Sequence, residues 1–301
     1  MTRTAAFLNP VMILLTWIGI WISPATAQAT DIFHEGVPRI LFVASQDSEI
    51  HQSAYAPLRR GLAYPPPLFI SADDTNAAQW IGHFDCRDCM IVTSGTRALQ
   101  DVLNFTQQAR VLSFMIPMES HERLIRSVAD QERFAALYMD IPLEKRMLIA
   151  RRHVPALRRF SVVESQPQSQ TDTGTPVENL QYFVKQPDQN LLDVFIQAAR
   201  HSDAILTLPD REIYNPRNIV SIMMTTYRLG TPLIGHSEAL HRAGALISIY
   251  AEPEMLGEEA LAVIRGQARE GWKALRRHTE LYQVSVNHQV ARSLRITVEA
   301  P

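Results

Sequence analysis

Residues 203–250 read DAILTLPDREIYNPRNIVSIMMTTYRLGTPLIGHSEALHRAGALISIY. Three short apolar strands are legible in this stretch, at 204–208, 231–235 and 245–250, each bounded by Pro, Gly or Asp turn signals. Helical segments separate them. In a parallel α/β sheet the residues just past the strand C-termini face a common crevice, so Pro209, Asp210, Ser237 and Tyr250 or Glu252 are expected to line one wall of a ligand cleft.

The whole chain has 301 residues, room for one large or two medium domains at roughly 100–200 residues each. Its 46% hydrophobic and 20% charged residues are an ordinary globular composition, which excludes an extensively disordered chain and a polytopic membrane protein. The 29 Lys and Arg are balanced by 31 Asp and Glu. A nucleic-acid binder would carry a basic excess on one face, so nucleic acid is set aside as a partner.

Arg3, an apolar run over 11–22 and then Pro24-Ala25-Thr26-Ala27 follow the charged, apolar, small-residue order of a secretory signal peptide. The run is nearer the ~10–14 residues of a signal core than the ~20 that span a bilayer, so residues 1–27 are expected to be cleaved after Ala27. No Cys follows to carry a lipid. The expectation is an exported protein, periplasmic where the cell has two membranes. Cys86 and Cys89 are the two cysteines and form a CxxC directly before a strand. In an oxidising compartment a structural disulfide is the default, with free thiols or a catalytic or metal pair as alternatives. A redox motif would place its first Cys at a helix N-terminus, and zinc would need two further ligands.

Strand and helix alternate from Val37 onward. Strands are expected at 39–44, 68–71, 89–93, 111–116 and 135–139, with helices at 52–62, 76–82, from Arg97, and at 121–127. A second series holds a basic helix at 143–157, a strand at 160–164, a polar surface loop at 165–176, a strand at 181–184 and a helix at 190–200. Alternation this regular indicates a doubly wound sheet.

With Ile91-Val-Thr-Ser-Gly-Thr96, the Leu208-Pro-Asp210 turn, Thr231-Pro-Leu-Ile-Gly235 and Ala243-Gly-Ala-Leu-Ile-Ser248 in order, and Leu256-Gly257 and Val286-Asn287 after them, the chain resembles a known family. It is the ABC transporter substrate-binding proteins that include tryptophan- and tyrosine-binding members, built on the type I periplasmic binding protein fold. The resemblance covers nearly all of the mature chain. It implies an α/β protein of two Rossmann-like lobes with parallel sheets, joined by a three-crossover hinge. The crossovers are expected near 138–140, near 250–253 and after a helix at 256–275, giving lobe 1 as 31–140 plus 251–274 and lobe 2 as 141–250 plus 275–301.

The resemblance also implies a protein that does no chemistry and uses no cofactor, encloses a small solute between its lobes as a monomer, and delivers it to a membrane permease. The same fold serves sensors that dock on a membrane signalling protein, the alternative reading. The residues expected to touch the solute are Ser45, Gln46, Ser94, Gly95, Thr96 and Pro117 on lobe 1, and Pro209, Asp210, Tyr214 and Ser237 on lobe 2. Hydroxyls at Ser94 and Thr96 with nearby N–H groups suit an acceptor, Asp210 suits a donor, and Tyr214 or Tyr250 can stack on an apolar body. Plain helix capping explains Ser94 and Asp210 equally.

The loops at 45–51 and 115–119 are acidic and carry no Arg to clamp a carboxylate, which leaves an amino-acid solute open against a larger hydrophobic one. Phe114, Met115, Ile116 and Met118 either line such a cleft or are core. An enzyme is the weakest reading. There is no HExxH, His236 and His241 are five apart, and a Ser94–His236–Asp210 triad would lack its GxSxG elbow.

Overall fold

The computed structural model describes residues 39–62, 66–167, 177–266 and 272–299. The expected signal peptide and most of the polar loop at 165–176 lie outside these residues. In chain order, the strands are β1 (Arg39–Ala44), β2 (Leu68–Ser71), β3 (Cys89–Ser94), β4 (Arg110–Ile116), β5 (Phe134–Tyr138), β6 (Phe160–Glu164), β7 (Leu180–Val184), β8 (Ala204–Leu206), β9 (Leu233–Gly235), β10 (Ile247–Tyr250), β11 (Arg277–His278) and β12 (Gln283–Val286). The helices are α1 (Glu49–Gly61), α2 (Ala77–His83), α3 (Thr96–Phe105), α4 (Met118–Ile125), α5 (Leu143–His153), α6 (Leu191–His201), α7 (Ile219–Arg228), α8 (Glu238–Ala243), α9 (Pro253–Gly266) and α10 (His288–Leu294).

The strands form two six-stranded sheets, ordered β11-β5-β4-β3-β1-β2 and β12-β10-β9-β8-β6-β7. Pairing is parallel throughout the first sheet; in the second, β12 alone runs antiparallel, against β10. Helices cover both faces of each sheet, which is why β3, CMIVTS, is buried along its whole length and reads as a continuous run and not as an alternation. Each lobe accordingly has two cores. In the first, Ala98, Leu99 and Val102 of α3 pack with Ile81 on one face, and Ala54 and Leu58 of α1 pack with Leu256 and Ala260 of α9 on the other. In the second, α5 and α10 cover one face, and α6, α7 and α8 the other. Helices α1 and α9 approach so closely that a Cβ at Gly257 would collide with the carbonyl oxygen of Ala54.

Local signals fix several helix ends. The side chains of Asn190, Ser237 and Asn287 accept from backbone N–H groups at the starts of α6, α8 and α10, and Gly244 closes α8 at φ +116°. α5 stops at His153, two residues before Pro155, and not at 157 as the basic run suggested. The helix expected over 256–275 is α9 followed by a 3-10 turn at Trp272–Leu275. β8 ends at Leu206, short of the expected 208; the next carbonyl, that of Thr207, accepts from the Arg146 side chain and not from a neighbouring strand.

The chain passes between the sheets three times, at 139–142 from β5 to α5, at 251–252 from β10 to α9, and at 279–282 from β11 to β12. Two of the strands at the third passage, β11 and β12, are absent from the sequence reading. Arg277 and His278 belong to the first sheet although they fall in the range expected for lobe 2. Cys86 and Cys89 form a disulfide that closes the turn into β3, with the Cys89 N–H donating to the Cys86 carbonyl. Among the described residues, no helix is long and apolar enough to cross a membrane.

Candidate ligand-binding site

Strand order reverses between β1 and β3 in the first sheet and between β6 and β8 in the second, and in open α/β sheets ligands bind outside the carboxyl ends of the strands at such points. At the first of these points the Ser45 N–H donates to the Ser94 carbonyl at 2.9 Å, and the Ser45 hydroxyl accepts from the Ala98 N–H at 3.1 Å. Gly95 lies between them at φ +94°, where a Cβ would stand 2.5 Å from Ser45 Oγ and 3.3 Å from His51 Cε1. Glycine is required there by both the backbone and the space.

Ser94 is fully buried, and its hydroxyl meets His51 Nδ1 at 2.7 Å and Met115 Sδ at 3.3 Å. Burial holds the His51 imidazole below its usual pKa. Met115 occupies φ +53° at a register shift between β4 and β5, a strained conformation for a non-glycine residue at the carboxyl edge. Phe114 and Ile116 on either side of it are core, at zero exposure. Gln46 and Thr96 are exposed beside this cluster, Thr96 as the first residue of α3, and Pro117 introduces α4.

In the second sheet Asp210 ties two loops together. One carboxylate oxygen accepts from the Ser165 N–H after β6 at 2.7 Å, and the other from Glu212 and Ile213 N–H at 2.9 and 3.2 Å. The Tyr214 hydroxyl donates to the Val163 carbonyl at 3.2 Å, and its ring lies edge-on to Phe195 and His236. Burial and the neighbouring Asp210 raise its phenol pKa. Ser237 caps α8, and Pro209 is exposed between β8 and the Asp210 turn. Thus Asp210, Tyr214, Ser237 and Ser94 each spend polar atoms on the protein itself.

Beneath this edge Arg146 of α5 is 3% exposed. Its guanidinium donates to the Thr207 carbonyl at 2.7 Å and the Ile234 carbonyl at 2.9 Å, so it binds the carboxyl ends of β8 and β9 to each other, while its Nε has no partner. Burial lowers its pKa to about 10. His236 follows β9 directly and bonds through Nδ1 to Thr207 Oγ1 at 2.8 Å; burial, then the Arg146 charge, lower its pKa to about 3. Arg146 and His51 are absent from the expected site residues, and His236 is considered from the sequence only as a metal ligand or a triad member, both set aside. Arg146 lies with Met147, Ile149, Ala150 and His153 among the buried residues of α5.

The passages are themselves bonded. His278 Nδ1 lies 2.8 Å from the Asp140 carbonyl oxygen and 3.4 Å from its carboxylate, which also accepts from the Met118 N–H at 2.8 Å. Burial raises the Asp140 pKa. Buried Glu259 of α9 accepts from Arg277 at 2.6 Å and from the Thr279 hydroxyl at 2.5 Å. A cavity of about 370 Å³ opens on the first lobe beside α4, lined by Met118, Glu122, Arg126, Gln131, Tyr138 and Arg276, with none of the expected site residues in its wall. Among the described residues no cluster of His, Cys, Asp or Glu could hold a metal ion.

No protein-family model matches the chain, and no curated protein matches it in sequence. Solved structures do. The ligand-free, open structure of a substrate-binding protein with adhesive properties from Clostridium difficile superposes with a TM-score of 0.66 at 12% identity, covering 88% of this chain and 96% of that one. An ABC domain from Streptococcus pneumonia in complex with L-Trp gives 0.54 at 15% identity, covering 86% and 96%. A conserved domain protein from Vibrio cholerae gives 0.53 at 14%, covering 87% and 96%. The chain therefore has the type I periplasmic binding protein fold, the fold of solute-binding proteins for ABC transporters.

Proposed function

We propose that the protein is an exported solute-binding protein that encloses a small molecule between its two lobes and delivers it to an ABC transporter. The observation that carries this reading is the three-passage connection: the first two leave the carboxyl ends of β5 and β10, the edges at which we place the ligand, so a solute touching both lobes favours closure about these passages. The L-Trp complex and the substrate-binding protein among the structural neighbours support the same class. We read Ser45, Gln46, Ser94, Gly95, Thr96 and Pro117 as the first wall of the site and Pro209, Asp210, Tyr214 and Ser237 as the second. Ser94, Asp210, Tyr214 and Ser237 act in it mainly by shaping backbone and neighbours, since their polar atoms are already bonded within the protein.

A thermal-shift screen of the protein from Gln28 against amino acids, sugars, nucleosides and apolar lipids tests the reading, because a ligand that binds the folded state raises its midpoint by mass action. A hit is expected to lower the radius of gyration seen by small-angle scattering. A hit that leaves the radius unchanged would remove the enclosure mechanism.

A further inference from the structure

We propose that His51 and His236 are the paired recognition groups of the solute site, one on each lobe, presenting two Nε2 lone pairs that accept hydrogen bonds from a hydroxyl- or amine-bearing solute. The inference rests on the two-lobe binding reading above and names the solute class for that site.

The two histidines are built alike. His51 lies in the first turn of α1, just past β1, and bonds through Nδ1 to the hydroxyl of Ser94, the last residue of β3. His236 lies just past β9 and bonds through Nδ1 to the hydroxyl of Thr207, the residue after β8. Each ring thus sits on a carboxyl edge, fixed by a hydroxyl from the neighbouring part of its own sheet.

The hydroxyls decide which nitrogen carries the proton. Ser94 Oγ is also 3.3 Å from Met115 Sδ, and a thioether can only accept. Both bonds are made at once when Ser94 donates to sulfur and accepts from the His51 Nδ1–H. Thr207 Oγ1 is likewise 3.2 Å from the Ile234 carbonyl, which can only accept, so Thr207 accepts from the His236 Nδ1–H. In a neutral imidazole the other nitrogen is then a lone pair.

Among the described residues no hydrogen bond joins either Nε2 to the protein; His51 keeps 8% exposure and His236 is half-buried. Burial around both rings, and the Arg146 guanidinium behind His236, hold them neutral at physiological pH. A neutral ring with an outward lone pair accepts from O–H and N–H groups and offers nothing to a carboxylate. Arg146, the cation nearest the second edge, is already spent on two carbonyls.

Two measurements test this. Long-range proton–nitrogen NMR spectra of 15N-histidine-labelled protein at pH 7 are expected to show both rings as the Nδ1–H tautomer; an Nε2–H or protonated ring at either position overturns the assignment. Titration calorimetry with myo-inositol, D-arabinose, ethanolamine, L-tryptophan and glutarate is expected to find a polyol or amine ligand. His51→Phe and His236→Phe should each weaken it at least tenfold, and His→Gln, which restores an acceptor near the Nε2 position, should recover part of the loss. Urea melts of the same variants separate lost recognition from lost folding. If a probe binds and closes the lobes but both Phe variants keep wild-type affinity, the proposal fails while the two-lobe reading stands. If no probe in the panel binds, that reading loses its support and the proposal falls with it.

Discussion

Arg146 and Thr207 are joined by a 2.7 Å hydrogen bond from a buried guanidinium to a backbone carbonyl, and the same guanidinium reaches the Ile234 carbonyl on the next strand. The cation works here as a cross-brace at the edge where two strands open into loops. Arg146→Ala would take the donor from the buried Thr207 carbonyl, leave the Ile234 carbonyl with its bonds from Thr207 alone, and open a void in the α5 face; it is expected to lower stability by roughly 2–4 kcal/mol. Urea unfolding with the slope held constant measures it. A loss below about 1 kcal/mol would mean that water satisfies the Thr207 carbonyl without the side chain.

Gly95 combines a left-handed backbone with contact against Ser45 and His51. Gly95→Ala is therefore expected to cost about 1–3 kcal/mol, since strain and collision act in the same direction. It should also displace His51 from Ser94, which makes a lowered affinity for any solute found in the screen the second readout. An Ala variant as stable as the parent would show that the loop has an alternative conformation.

Acid should weaken the second lobe through His236. Its pKa is about 3 in the folded chain against an ordinary 6.5, so the unfolded chain takes up a proton that the folded chain refuses. The stability linked to this ring is whole above pH 6.5 and is lost as pH falls from 6.5 toward 3, at about 1.4 kcal/mol per pH unit. His236→Gln removes the linkage. Unfolding free energies measured from pH 7 to pH 4 are expected to fall more steeply for the parent than for the variant; parallel slopes would place the ring in a wetter setting.

The Cys86–Cys89 bridge closes a loop with a sequence separation of only three. Chain-entropy reasoning assigns so short a loop about 2 kcal/mol, less than a long-range bridge would give. Reduction should lower the melting temperature by a few degrees without abolishing the fold, because Asp85, next to the bridge, already accepts from the N–H groups of Gln107, Gln108 and Ala109. Complete unfolding on reduction would contradict this.

Much of the architecture was legible because its strands are buried on both faces and stand out as apolar runs closed by Pro, Gly or Asp. β3 and β4 are of this kind. β11 and β12 are not: Arg277-His278 and Gln283-Val-Ser-Val286 carry little apolar signal, and they become strands by pairing with β5 and β10, far away in sequence. The expected wall residues rest on strand ends alone, which locate an edge but not what each side chain does there. The partner that fixes His51 is 43 residues away and that of His236 is 29 away, separations that no local pattern reports. Arg146 was hidden for another reason. It sits among Lys145, Arg151 and Arg152, and a cation facing inward looks in the sequence like those facing out.

The third passage has a consequence for the order in which the molecule can assemble. β11 supplies one edge of the first sheet and β12 one edge of the second, while α9, which follows the second lobe in the chain, packs on α1 near the start of the first. Neither lobe is a continuous stretch of chain. Both stay incomplete until the last fifty or so residues have been made, and their closing contacts span most of the sequence, the situation in which folding is slow and late. A ribosome-bound chain stopped before residue 253 should expose the apolar faces of β1, β4 and α1 to proteases, and release of the full chain should protect both lobes together.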